Sequence, residues 1–145
     1  MTVRKAVVAV PQALKESKMD KNRTSAPHML VALDPAVAID GLHPLPGPDG
    51  AVVQGGAHSF YRSADGQIDV GVWQGSAGRV SITAYPSDEL WHIVSGHVDF
   101  VSEAGEAQSF GAGDCFVLPK GYSGTAEFSD NFRKVYAMSP ALGTV

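Results

Sequence analysis

The chain has one cysteine among its 145 residues and no cluster of basic side chains. That cysteine, Cys115, cannot form an internal disulfide, so the fold is compatible with a reducing compartment. It falls within an apolar segment, where we predict a buried, unreactive thiol rather than a nucleophile. The formal net charge is −4. Because no basic stripe is available to bind phosphates, we expect no nucleic-acid partner.

Long apolar runs are also missing. No segment approaches the length of a transmembrane helix, so we expect no membrane partner. The apolar run at residues 6–10 follows Arg4 and Lys5, but it is short and is interrupted at Pro11. A signal peptide needs a longer apolar region, so we predict a cytoplasmic protein.

Glycine and proline, by contrast, are numerous, with 16 and 9 copies. From residue 51 onward they separate short apolar segments that recur about every 8–12 residues, which is typical of strands joined by tight turns. The predicted strands cover residues 52–54, 58–62, 68–74, 79–85, 89–95, 97–102, 107–110, 114–118, 123–128 and 132–138. No long segment has a helical period, and the pattern predicts an all-β sandwich or barrel of antiparallel strands.

Two spacings stand out between Tyr85 and Tyr122. Glu89 is followed by Leu-Trp-His-Ile-Val-Ser and then by Gly96, and Gly113-Asp is followed by Cys-Phe-Val-Leu-Pro-Lys and then by Gly121. Ser-Gly at the first glycine suits a two-residue hairpin turn, because glycine tolerates a positive φ. Pro-Lys-Gly at the second would end a strand with a rigid bend.

With these motifs the chain resembles the cupin superfamily. It is most similar to the small single-domain cupins grouped with the (S)-ureidoglycine aminohydrolase cupin domain. The segments that carry the resemblance are residues 71–74, 85–96, 110–127 and 133–136. The resemblance implies a double-stranded β-helix, a jelly-roll barrel of the RmlC-like type. Such barrels leave open strand edges that a second subunit commonly covers, so we expect a homodimer.

The chain then divides into residues 46–145, the cupin domain, and residues 1–45, an N-terminal arm. The arm has candidate strands at residues 6–10 and 29–33 and one or two helical turns at residues 13–19. It either covers an edge of its own barrel or swaps onto a second barrel. Residues 43–50 contain three prolines, which fix φ and remove hydrogen-bond donors, and we predict a loop there.

In metal-binding cupins, the resemblance implies two histidines and a glutamate in the first motif and one histidine in the second. Here Glu89 takes the glutamate position. His92, three residues later, would face the opposite side of the strand. The other ligand positions hold Ile82 and Ala84, or Thr83 and Tyr85 in a shorter spacing, and Gly124. Metal sites normally supply three or four protein ligands, so we predict no cofactor, with a divalent metal as the less favoured alternative.

The predicted interior of the barrel is mostly apolar. Its expected lining residues are Trp73, Ile82, Ala84, Tyr85, Trp91, Tyr122, Gly124 and Phe128. Desolvation would raise the pKa of Glu89 in such a setting, and its carboxyl group could then bind a ligand or act as a general acid or base. The alternative is that Arg79 or Lys120 neutralises Glu89, or that Glu89 only faces a bound water, and that this residue has no role in binding or catalysis.

The sequence therefore predicts a cytoplasmic, homodimeric cupin that binds a small polar organic molecule inside its barrel without a tightly bound metal. The first alternative is a small-molecule enzyme of the hydrolase, aminohydrolase or isomerase type, with Glu89 as the catalytic acid or base. The second is a non-catalytic dimeric module for sensing or assembly.

Overall fold

The computed structural model describes residues 28–48, 50 and 52–139. Within these residues the chain forms ten β-strands and no helix. The strands are β1 (His43–Pro46), β2 (Val52–Arg62), β3 (Asp69–Gly75), β4 (Gly78–Ile82), β5 (Glu89–Ser95), β6 (His97–Ser102), β7 (Ala107–Gly111), β8 (Cys115–Leu118), β9 (Gly124–Phe128) and β10 (Phe132–Met138). The predicted elements at residues 6–10 and 13–19 lie outside the described residues.

The strands form two antiparallel sheets. One sheet has the order β1-β2-β3-β10-β5-β8, and the other has the order β4-β9-β6-β7. From β3 onward the chain changes sheet at every connection except the one between β6 and β7. This repeated crossing between two facing sheets is the jelly-roll arrangement, and it confirms the predicted all-β fold class.

The inner faces of the two sheets enclose an aromatic core. Along β10, buried residues alternate with partly exposed ones, as the period of two in a strand requires. Trp91 of β5 lies in this core. Its ring centroid is 4.9–6.3 Å from the centroids of Phe100, Phe116, Phe128 and Phe132. Each such pair contributes about 0.5–1.5 kcal/mol beyond the burial of its area.

One strand is longer than predicted. Residues 52–54 and 58–62 belong to a single strand, β2, because Gly55 and Gly56 continue it instead of breaking it. A Cβ atom on Gly55 would lie 2.6 Å from Cζ2 of Trp73, and one on Gly56 would lie 3.0 Å from Cδ2 of Leu42. The two glycines therefore make room for side chains that pack on either face of the strand.

The N-terminal segment also differs from the prediction. Residues 43–46, predicted as part of a loop, form β1 at the edge of the six-stranded sheet, where a proline without an N–H group is tolerated. Residues 29–33, predicted as a strand, have no regular structure. Arg133 Nη1 donates hydrogen bonds to the carbonyl oxygens of Pro35, at 3.1 Å, and Val37, at 2.8 Å. Pro35 and Val37 of the predicted arm thus contact β10 of the same chain, and β1 spans residues 43–46.

Candidate functional site

The site is built around Glu89, the first residue of β5. The residue pairs with Met138 of β10 and with Leu118 of β8, and its side chain points into the barrel with no exposed surface. Its Oε2 atom accepts a hydrogen bond from Nζ of Lys134 at 2.9 Å, and the lysine side chain is only 1% exposed. The two residues form a fully buried ion pair.

The ion-pair partner of Glu89 is a cation that the sequence did not suggest. Lys134 lies 45 residues further along the chain, on the inner face of β10. Arg79, one of the two suggested cations, is half exposed and pairs instead with Glu127 at 3.2 Å. Sequence reasoning missed Lys134, although the signal was present. It occupies an inward position between the apolar residues Phe132 and Tyr136 on the same face of one strand.

The second oxygen of the Glu89 carboxylate accepts a hydrogen bond from the hydroxyl group of Tyr85. Two backbone bonds hold Tyr85 in place: its N–H donates to the Tyr122 carbonyl at 2.9 Å, and its carbonyl accepts from the Gly121 N–H at 2.7 Å. The bend that ends β8 therefore positions this tyrosine. Burial raises the pKa of Tyr85 well above its usual 10.0, so near neutral pH the hydroxyl group keeps its proton and acts as a donor.

The ammonium group of Lys134 also lies over two indole rings. Its Nζ atom is 3.2 Å from the ring centroid of Trp91 and 5.1 Å from that of Trp73. The face of an indole ring is negative and attracts a cation. The lysine is thus stabilised by a carboxylate and two aromatic faces, which together replace the water that it loses on burial.

A half-enclosed cavity of about 210 Å³ lies between the two sheets beside this pair. Its lining is mostly apolar and includes both tryptophans. The lining residues are Leu45, Pro46, Trp73, Val80, Ser81, Ile82, Thr83, Tyr85, Trp91, Leu118, Ala126, Phe128 and Lys134. The lining residues with polar side-chain atoms are Ser81, Thr83, Tyr85, Lys134 and, through their indole N–H groups, the two tryptophans.

Five of the residues predicted to line the pocket are in this wall: Trp73, Ile82, Tyr85, Trp91 and Phe128. The other three are elsewhere. β4 ends at Ile82, and Ala84 has a φ of 44° and an exposed side chain, so strand alternation does not extend to it. Tyr122 packs its ring on Phe100, with centroids 5.9 Å apart. Gly124 faces the backbone of β6, where an added Cβ atom would clash with the carbonyl oxygen of Val101.

The residues at the metal-ligand positions of metal-binding cupins do not fit a metal. Ile82, Ala84 and Gly124 carry no donor atom in their side chains, and in the shorter spacing Thr83 and Tyr85 offer only hydroxyl groups, of which that of Tyr85 donates to Glu89. The carboxylate of Glu89 already binds an ammonium group at 2.9 Å. Within residues 28–48, 50 and 52–139, no three histidine, cysteine, aspartate or glutamate side chains cluster closely enough to hold a metal ion. A transition-metal centre needs more donors than this site offers.

His92 and Cys115 form a separate pair on the outer face of the six-stranded sheet. They are directly opposite each other on β5 and β8, with Nδ1 of the histidine 3.1 Å from Sγ of the cysteine. Cys115 is exposed, which contradicts the predicted buried thiol. The reason is that β8 is an edge strand and that Cys115 is directed away from the barrel.

The family description of the EutQ-like cupin domain matches residues 62–136. The chain belongs to this cupin family. The match covers β3–β10 and includes Trp73, Tyr85, Glu89, Trp91 and Lys134. The predicted resemblance to the cupin superfamily is therefore confirmed. No curated protein matches this cupin.

Solved structures share its fold. The Clostridium difficile EutQ protein is 18% identical with a TM-score of 0.52, and the alignment covers 80% of this chain and 84% of that one. A putative ethanolamine utilization protein Q from Salmonella typhimurium is 20% identical with a TM-score of 0.52, and the alignment covers 72% of this chain and 99% of that one. A DUF861 protein of unknown function from Pseudomonas syringae is 22% identical with a TM-score of 0.62, and the alignment covers 74% of this chain and 47% of that one.

At these identities the similarity shows the fold alone. This cupin spans about half the length of the Pseudomonas protein. Over the described residues, it contains no helix with the length and apolar character needed to cross a lipid bilayer.

Proposed function

We propose that this cupin binds a small organic molecule in the cavity of its barrel. The observation that carries the proposal is the half-enclosed space of about 210 Å³ lined by Trp73, Tyr85, Trp91 and Lys134. A concave, mostly apolar wall with a few fixed polar groups is the usual form of a small-molecule site. The volume lies below the range of about 300–1,000 Å³ for larger ligands, which favours a small one. Because the donors around Glu89 do not fit a metal, the proposed ligand binds without a tightly bound metal ion.

Tryptophan fluorescence tests this proposal. The chain has two tryptophans, and both line the cavity, so any occupant contacts the protein's main fluorophores. We expect a screen of small organic compounds to find ligands that change the tryptophan emission and raise the melting temperature. A ligand at a hundred times its dissociation constant stabilises the folded state by about 2.7 kcal/mol.

A matched pair of variants gives the control. Ala126 lines the cavity, whereas Ala107 is exposed on β7, so Ala126→Leu fills the site and Ala107→Leu leaves it open. The ligand should lose affinity for the first variant and bind the second as it binds the wild type. The proposal fails if no compound changes the emission or the melting temperature, or if both variants bind equally well.

The second candidate is an enzyme that uses Glu89 as an acid or base, of the hydrolase, aminohydrolase or isomerase type. It is favoured by the hydrogen bonds that join the two carboxylate oxygens to Tyr85 and Lys134, since such contacts can pass a proton to or from a bound substrate. The resemblance to the ureidoglycine aminohydrolase cupin domain that the sequence motifs suggest would point the same way. Its metal-binding spacing, Glu-x-His-x₃-His, is absent from this sequence, so an aminohydrolase reaction here would have to use other groups.

The substitution Glu89→Gln distinguishes the enzyme from the binder. If the protein is an enzyme, turnover of a ligand found in the screen should fall by about 100-fold or more while binding is retained, because general acid–base catalysis contributes about 10²–10⁴-fold. Unchanged turnover, or no turnover by the wild type, excludes this role for Glu89.

We also propose that the protein is cytoplasmic, as expected from its sequence, and that it is a homodimer, because the fold leaves strand edges open. β8 is such an edge, and Val117 on it is 57% exposed. Light scattering at micromolar concentration should report a dimer, and a monomer would contradict this assembly. A dimer for which every ligand screen is negative would instead support the non-catalytic sensing or assembly module.

A further inference from the structure

We infer that the cavity selects an uncharged ligand about the size of one substituted ring, and that the ion pair of Glu89 and Lys134 sets this preference. The inference deepens the proposed binding function and rests on it. The sequence predicted a polar ligand. The inference differs because Lys134, in the wall of the cavity, is already paired with Glu89.

The charges at the cavity cancel. Among the residues that line it, Lys134 alone carries a formal charge, and that charge is balanced by Glu89 at 2.9 Å. Burial raises the pKa of Tyr85, so its hydroxyl group adds none near neutral pH. Lys134 in the wall and Glu89 beside it therefore add no net charge to the cavity.

A charged ligand would disturb this balance. A carboxylate or an ammonium group on the ligand would leave one net charge in a cavity whose wall is made mostly of aliphatic and aromatic carbon. An uncompensated charge in an apolar environment is strongly unfavourable, whereas a neutral molecule leaves the pair intact. The apolar wall then favours an uncharged molecule that buries mainly carbon.

The volume and the wall indicate a single ring. An apolar cavity of about 150 Å³ is enough to bind benzene, so a cavity of about 210 Å³ has room for a ring with a small substituent. Trp73 and Phe128 are in the wall, with ring centroids 5.2 Å apart. Aromatic side chains pack well against a flat ring in offset or edge-to-face contact.

Three probes with the same ring test the inference: benzyl alcohol, benzoate and benzylamine, which is an ammonium ion at pH 7. Their affinities can be measured from the quenching of the cavity tryptophans. We expect the wild type to bind benzyl alcohol at least about tenfold more tightly than either ion, because each ion brings an uncompensated charge into the cavity.

Variants of the pair should change the preference in opposite directions. Glu89→Gln leaves the ammonium group of Lys134 uncompensated, so benzoate should gain at least about tenfold in affinity relative to benzyl alcohol. Lys134→Met leaves the carboxylate of Glu89 uncompensated, so benzylamine should gain instead. The double variant Glu89→Gln/Lys134→Met is neutral again and should restore the wild-type order. Circular dichroism confirms that each variant is folded.

Several results would overturn the inference. It is wrong if the wild type binds either ion as tightly as benzyl alcohol, or if the preference of the folded single variants does not change. It is also wrong if none of the three probes binds while other compounds from the screen do, a result that leaves the proposed binding function standing. If nothing binds at all, both fail together. If the single variants do not fold, the inference is judged by two results: the order of the three probe affinities in the wild type, and whether the double variant keeps that order.

Discussion

Replacing Lys134 by methionine is expected to lower the free energy of unfolding by about 3–5 kcal/mol, the usual cost of removing one partner of a buried ion pair. The carboxylate of Glu89 has no exposed surface and would lose the ammonium group 2.9 Å away. The contacts of that group with the faces of Trp73 and Trp91 would be lost as well. Methionine keeps most of the length and volume of lysine, so the decrease in the free energy of unfolding reflects the lost charge rather than a new cavity. Urea denaturation measures it.

Arg79→Met is the matched control. Arg79 forms an ion pair with Glu127 at 3.2 Å, but both side chains are about half exposed. Surface ion pairs contribute about 0–1 kcal/mol because water and salt screen them. A Lys134→Met variant that loses no more stability than Arg79→Met would show that the buried pair does not stabilise the folded barrel in the way described.

A side chain at Gly124 is expected to destabilise the protein by about 3 kcal/mol or more, because there is no space for it. A Cβ atom there would clash with the carbonyl oxygen of Val101 and lie 2.9 Å from Cα of Ser102. Both atoms belong to the backbone of β6, which is hydrogen-bonded to β9 at this point. Neither can move without breaking the ladder between the two strands. Denaturation of Gly124→Ala measures the cost.

Gly111→Ala provides the comparison, since a Cβ atom there would come no closer than 3.9 Å to any atom. A Gly124→Ala variant that is as stable as the wild type would contradict the close approach of β6 and β9.

The same clash has a consequence for metal binding. Gly124→His would restore a ligand of the metal-binding cupins to its position in the motif, but we expect this variant to be destabilised at least as much as Gly124→Ala.

Most of the fold was predictable from the sequence because turn residues and alternating strands are local signals. The first errors arose where glycine and proline took roles other than breaking a strand. Gly55 and Gly56 continue β2 because their missing side chains admit Trp73 and Leu42. Pro44 and Pro46 lie in β1 because an edge strand does not need every backbone donor.

The site was predictable only in part. Glu89 and Trp91 were assigned to the inner face because they are two residues apart on one strand, and that alternation holds in the structure. Ala84 was assigned by extending the same alternation beyond Ile82, where β4 ends. Lys134 was missed because a lysine in a strand is usually exposed, and only the pairing of β5 with β10 brings it to Glu89.

A double-mutant cycle on Glu89 and Lys134 tests the neutral buried pair most directly. The stabilities of Glu89→Gln, Lys134→Met and the double variant are compared with that of the wild type by urea denaturation. If the two side chains interact inside the barrel as described, their coupling energy should be at least about 2 kcal/mol, and the double variant should be much more stable than the sum of the single losses implies. Losses that add to within about 0.5 kcal/mol would contradict the pair and, with it, the charge balance on which the ligand preference depends.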